Sequence, residues 1–183
     1  TAAQAADNTY YNMLQGKDAD GNKTQEVLLD IDNFIDYMII NQYAGNGDWD
    51  HHNWYAIRRK GEESQGFRFL CWDSEIIFEN PQENVLRLNN GDETPTGIFN
   101  HLMENKQFAK KYLSRAKELL SDDGLLGPKS VEAVWDSLYN NISKALYAEA
   151  ARWGNYRKDV HPYQSPGSLY TVDETYMAER NRL

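Results

Sequence analysis

Apolar residues recur at spacings of three and four along Phe34, Ile35, Met38, Ile39 and Tyr43. That period predicts a helix with one buried face. Asp30-Ile-Asp-Asn33 precedes it with N-cap chemistry, and Asp32 is the expected cap. The helix is expected to end near Ala44-Gly45. The pattern then changes. Asn53-Trp-Tyr-Ala-Ile-Arg-Arg59 and Gly66-Phe-Arg-Phe-Leu-Cys-Trp72 alternate in part and are rich in aromatic residues, so both read as strands. Lys60-Gly-Glu-Glu-Ser-Gln65 is the polar turn between them. A hairpin centred near Glu63 sets Asn53 across from Asp73, because both lie ten positions from the centre.

Further helices flank this core. Residues 2–15 are Ala-rich, with Tyr10, Tyr11, Met13 and Leu14 as an apolar stripe. Thr96 is placed to cap a short helix through Met103. Asn105 is placed to cap a longer one through Leu120, with Phe108, Tyr112, Leu113, Ala116, Leu119 and Leu120 inward. Pro128 suits the first turn of a long helix, striped by Val131, Val134, Leu138, Ile142, Leu146 and Ala150. Gly154 reads as its stop signal. Residues 79–96 and 155–170 read as loops, the second rich in Pro and Tyr. Thr171-Val-Asp-Glu174 is a capping box that opens a last helix. The fold class expected is α+β, mainly helical, with one embedded β-hairpin in a single domain over residues 1–183.

Length and charge narrow the function. A chain of 183 residues is long enough for one domain with a real core. It carries 19 Lys+Arg against 28 Asp+Glu, a net charge of −9. An acidic chain without a basic block lacks the phosphate-neutralising surface that nucleic acids and anionic lipids require. No apolar run reaches the length of a membrane span. Aromatic residues make up 13% of the chain, with 12 Tyr and 5 Trp, enough to fill a core or to offer flat faces to a ligand. The single cysteine, Cys71, forms no internal disulfide and sits in an apolar strand as a packing residue. The chain starts without Met and stops inside a helical pattern, so it is expected to be a piece of something longer.

The chemistry concentrates in Asn46-Gly-Asp-Trp-Asp-His-His-Asn-Trp-Tyr55 and Cys71-Trp-Asp-Ser-Glu75. Gly45 and Gly47 suit a sharply shaped loop holding Asp48. Phosphoryl transfer from a nucleotide needs magnesium on one or two carboxylate or amide oxygens, and an aspartate beside the acceptor hydroxyl. Protein kinases supply an Asp, an Asn five residues later, and a second Asp after a short hairpin. Here Asp48 precedes Asn53 by five and Asp73 ends the hairpin. Asp48 is then the base or orienting group, with Asn53 and Asp73 as the magnesium ligands.

Other readings of the same residues stand beside this one. Asp48 and Asn53 are turn formers and serve as such in many loops. Asp50 rivals Asp48, but its spacing to Asn53 does not suit the kinase arrangement. Asp48 and Asp50 also make an Asp-x-Asp, as in metal-dependent glycosyltransferases. His51 and His52 diverge as neighbours, and zinc needs further ligands; His101 and His161 lie far along the chain. Gly16-Lys-Asp-Ala-Asp-Gly-Asn-Lys-Thr24 has part of a calcium-loop pattern without its closing Glu.

The residues from Leu29 to Tyr43, then Gly45 to Tyr55, then Phe69-Leu-Cys-Trp-Asp-Ser-Glu75 resemble the CotH family of atypical protein kinases. The resemblance continues through Asn105-Lys-Gln-Phe108 to Arg152-Trp-Gly154. It implies a kinase-like C-terminal lobe in which the hairpin carries the catalytic and metal-binding loops. It implies use of ATP and magnesium to phosphorylate protein serine, and an exported, cell-surface or spore-coat bacterial protein acting on exported or coat proteins. By the same resemblance Asp48 matches the catalytic aspartate, Asn53 and Asp73 match the metal ligands, and Glu75 matches a following acid of unassigned role. Asn46-Gly47 stands where ordinary kinases have His-Arg. No nucleotide-covering strands or phosphate-pairing lysine precede the loop, so the lobe that supplies them is expected upstream and the fragment alone is expected to be inactive. A non-catalytic surface or spore-coat module for a glycan or protein partner is the alternative.

Overall fold

The computed structural model describes residues 8–23, 26–61, 63–80, 82–160 and 169–182. The protein is α+β and mainly helical, with a two-stranded antiparallel hairpin. The chain divides into two compact units, Thr1–Leu119 and Leu120–Leu183.

In the first unit, α1 spans Asn8–Leu14 and α2 spans Ile31–Tyr43. The helix expected over 2–15 is thus described from Asn8, and residues 1–7 lie outside the described part. Asp30, not Asp32, caps α2: its carboxylate accepts from the Asn33 backbone N–H at 3.0 Å. Asp32 instead lies in the first turn, where a carboxylate still favours the helix dipole. Phe34, Ile35, Met38 and Ile39 are buried as their spacing predicts. Tyr43 is half-buried and meets Phe78 edge to face.

The hairpin pairs β1, Trp54–Ile57, with β2, Arg68–Cys71. The observed partners are Trp54 with Cys71, Tyr55 with Leu70, Ala56 with Phe69 and Ile57 with Arg68. This register runs one residue off the expected centre, so its extension sets Asn53 against Trp72. Asp73 stands one position beyond. Phe69 packs inward on Phe34, with ring centroids 4.9 Å apart. The free edge of β2 is covered in part by a side chain. Asn33 of α2 donates to the Phe69 carbonyl at 3.3 Å and accepts its N–H at 2.6 Å. A polar residue on a core-facing helix is thereby satisfied. On the other side of Gly66, Leu28 to Asp30 and Phe67 exchange backbone hydrogen bonds. The close pass requires glycine at 66, where φ is +89° and a Cβ would lie 2.6 Å from the Leu29 nitrogen.

Two helices complete this unit: α3, Pro95–Met103, and α4, Lys106–Leu119. Thr94, not Thr96, caps α3, accepting from the Gly97 N–H. Asn105 caps α4 as expected: its Oδ1 accepts from the N–H groups of Gln107 and Phe108. Arg115 of α4 grips Asp36 of α2 with two nitrogens at 2.8 and 3.0 Å. Phe108 and Leu119 are buried, but Leu113 and Leu120 are exposed against the expected inward stripe.

The second unit is built on α5, Pro128–Asp159. Proline takes the first turn as expected. Gly154 does not end the helix. It sits inside it, where the returning chain crosses: the Tyr170 N–H donates to the Gly154 carbonyl at 3.1 Å. A Cβ at 154 would lie 2.3 Å from the Tyr170 oxygen. Thr171 then caps a π-helical turn, Val172–Tyr176, that runs into α6, Met177–Arg182. Its hydroxyl accepts from the Glu174 N–H, the contact a capping box begins with.

Candidate functional site

Residues 46–53 fold as a loop between α2 and β1, held at three levels. Asn46 hangs from the end of α2: its N–H bonds the Asn41 carbonyl, and its amide donates to Asn41 Oδ1 at 3.0 Å. Trp49 is fully buried and meets Tyr37 edge to face at 5.4 Å. Asp50 is 1% exposed, and a charge that deep needs several donors. It has three: the Thr96 N–H at 2.8 Å, the Thr96 hydroxyl at 2.5 Å and the Asn90 amide at 2.9 Å. Its backbone carbonyl accepts the Trp54 indole N–H at 3.0 Å. Asp50 is the anchor of this loop, fixed to the first turn of α3.

With Trp49 and Asp50 directed inward, Asp48 is left half-buried at the surface of the loop. The Asn53 amide nitrogen lies 3.1 Å from Asp48 Oδ1 and 3.5 Å from the Asp48 carbonyl. Both partners are acceptors, so the NH2 end must face them. The Asn53 oxygen therefore points away, and it accepts no hydrogen bond among the described residues. An oriented amide with a spare oxygen suits a hard cation such as magnesium.

Asp73 follows the hairpin and is exposed. Its φ of +50° lies in the left-handed region, which Asp tolerates better than most residues. Glu75 is exposed two residues on. Among the described residues no group of three or more His, Cys, Asp and Glu side chains gathers as a metal set. Magnesium in phosphoryl transfer takes only one or two protein oxygens beside phosphate and water, a demand Asn53 and Asp73 meet in kind.

The other candidates form no metal set among the described residues. His51 and His52 do not diverge as expected: both are exposed, and their rings meet edge to face with centroids 3.9 Å apart. His101 pairs with Asp92 at 2.9 Å; His161 lies outside the described residues. The Asp18 carboxylate is used within its own loop, accepting from the Asp20 and Asn22 N–H groups and the Asn22 amide. Those bonds, Asn22's backbone first, hold its carboxyl below the usual range. Cys71 is exposed rather than packed as expected; partial burial of its thiol still pushes the pKa up, while the Asn41 amide at 3.5 Å pulls the other way.

Two features escape the sequence. Asn90 and Thr96, which carry Asp50, sit 40 and 46 residues away in a loop and a helix start. Tyr55 and Trp72 are both about half exposed, edge to face at 5.3 Å. Strand alternation was the available signal, since Tyr55 and Leu70 are cross-strand partners and both are exposed.

These features define an α+β protein whose polar loop gathers beside one end of a hairpin. The family described as CotH kinase protein matches residues 6–182, and the chain belongs to it. That makes it a kinase-like protein of a spore-coat family, in keeping with nucleotide and metal use and a coat or surface location. No curated protein and no solved structure matches the chain. No helix among the described residues is long and apolar enough to cross a membrane.

Proposed function

We propose that the intact protein transfers the γ-phosphoryl group of ATP, with magnesium, to a serine of an exported or coat protein. The observation that carries this is the Asp48–Asn53 pair. The amide is turned by the carboxylate so that its oxygen is left for a cation. In this reading Asn53 and Asp73 hold magnesium, which neutralises charge on the phosphates. Asp48 orients the serine hydroxyl and takes its proton as the serine oxygen bonds to phosphorus. The bond from the γ-phosphorus to the bridging oxygen breaks, and ADP leaves. The exposed rings of Tyr55 and Trp72, next to these residues in the hairpin, offer the base a stacking face. Asp50 supports the loop, and Glu75 has no assigned part.

Titration calorimetry of the full-length protein tests this. ATP is expected to bind only with a divalent cation, and Asp73→Ala should abolish that binding. Unchanged metal-dependent affinity in the variant removes the site assignment.

A second reading draws on the exposed apolar face of the hairpin, which includes Tyr55, Ile57, Leu70 and Trp72. In it the protein is a non-catalytic coat or surface module for a glycan or protein partner. Partner binding undiminished in Asp48→Ala, with no phosphotransfer by the full-length protein, favours that reading.

A further inference from the structure

The second unit contains a cleft of about 360 Å³ between α5 and the segment from Tyr170 to Glu179. Its walls are apolar: Leu146 and Ala150 on the helix, Val172 opposite. Three aromatic residues also line it, Trp153, Tyr170 and Tyr176, and the Tyr176 ring is stacked with Tyr139 and Trp135. Two lining threonines have their hydroxyl oxygens engaged within this segment. Thr171 accepts from the Glu174 N–H, and Thr175 both accepts from the Thr171 N–H and bonds the Leu169 carbonyl.

The charged groups of the lining are Glu149 and Glu179, with no cation among the residues that form it. Glu149 makes no hydrogen bond or ion pair among the described residues. Glu179 gives one oxygen to Arg182 at 2.6 Å and retains the other. A neutral apolar ligand would use the walls and leave the Glu149 carboxylate unused. An anion is repelled by the two carboxylates. A cation on an apolar stem satisfies both parts, its stem on the walls and its head between carboxylates and rings. Trp153 already attracts such a group from outside the cleft: the Arg152 guanidinium lies 4.9 Å over its ring.

We propose that this cleft binds an arginine side chain, flanked by apolar residues, from a partner polypeptide. The site is independent of phosphoryl transfer and stands or falls without it.

The test uses the full-length protein and two blocked tripeptides, acetyl-Leu-Arg-Leu-amide and its citrulline counterpart. Citrulline keeps the size and hydrogen-bonding edge of arginine and removes the charge. Calorimetry is expected to give saturable binding of the arginine peptide, with the citrulline peptide about tenfold weaker. Glu149→Gln, an exposed position, should weaken the arginine peptide and leave the citrulline peptide unchanged. Trp153→Leu should weaken both, because it removes a wall and a π face together. Equal affinity of the two peptides, or no binding of either at millimolar concentration, overturns the proposal. So does an equal effect of Glu149→Gln on both, or self-association of the protein that Trp153→Glu abolishes.

Discussion

Asp50 and Thr96 lie 46 residues apart, yet the carboxylate of one takes both donors of the other, the N–H at 2.8 Å and the hydroxyl at 2.5 Å. The pair ties the loop between α2 and β1 to the start of α3. It also explains why the two acids of Asp48-Trp-Asp50 differ in use. Alternation around the buried Trp49 does not decide it. The carboxylate that meets buried donors becomes the anchor, and the other stays half-buried at the loop surface, where the proposed chemistry would use it.

Thr96→Val keeps the shape and removes the hydroxyl. Hydrogen bonds to a charged partner contribute about 1.5–3 kcal/mol, so a loss of that order is expected in urea unfolding. Asp50→Asn should cost a similar amount, since an amide cannot accept all three donors. The double variant should lose less than the sum, because both single changes break the same contact. Strict additivity is the outcome that refutes the coupling.

Gly66→Ala should be worse than its size suggests. The residue has φ of +89°, and the new methyl would meet the Leu29 backbone at 2.6 Å. Removing a positive-φ glycine typically costs more than about 1 kcal/mol even without a clash. Thermal unfolding should show a clear drop in Tm. A neutral result would mean that Leu28 to Asp30 can move away from Phe67.

Much of this was legible because the relevant forces are local. Asn105 and Pro128 act within one helical turn, and both take the expected roles. The stripe Phe34, Ile35, Met38, Ile39 is buried because a helix with that period has only one way to hide it. The misread positions depend on partners far along the chain. Gly154 looks like a stop until Tyr170 crosses it, and then it is a close-packing site inside the helix. Thr96 looks like a cap, but Thr94 does that work and Thr96 serves Asp50. Asp30 and Asp32 are equivalent in local chemistry. Only the observed start of α2 at Ile31 separates them. In the candidate site, the spacing from Asp48 to Asn53 was legible and their contact follows from it. The displacement of Asp73 by one register position was not, because it depends on the geometry of the turn.

Burial pushes the Tyr37 phenol far above the ordinary tyrosine value, with nearby Cys71 and Asp50 adding to the effect. Its hydroxyl is buried and makes no hydrogen bond among the described residues. The unfolded chain ionises this group near pH 10, whereas the native state resists. Stability is therefore intact below about pH 10 and falls as pH climbs above it toward the native value. Urea midpoints measured from pH 8 to pH 11.5 should decline less steeply in Tyr37→Phe than in the parent. At pH 8 the variant should be no less stable, since it deletes a buried polar atom without a partner. Identical slopes would show that other groups control the alkaline limb.

Asp48 and Asn53 should separate binding from transfer. If Asp48 acts on the acceptor hydroxyl, Asp48→Ala should reduce phosphotransfer by about 10²–10⁴-fold, the usual range for a positioned acid or base. Metal-dependent ATP affinity should change less, because Asp48 is not proposed as a ligand. Asn53→Ala should do the reverse, raising the metal concentration needed for binding. The contact at 3.1 Å qualifies this contrast, because removing Asp48 also frees the Asn53 amide to rotate. Asp48→Asn resolves the ambiguity. It retains an oxygen that can accept from Asn53 and cannot take a proton in the same way. Affinity near that of the parent, with transfer lost, assigns Asp48 to the acceptor. Loss of affinity in Asp48→Asn to the level of Asn53→Ala would assign Asp48 to the metal instead.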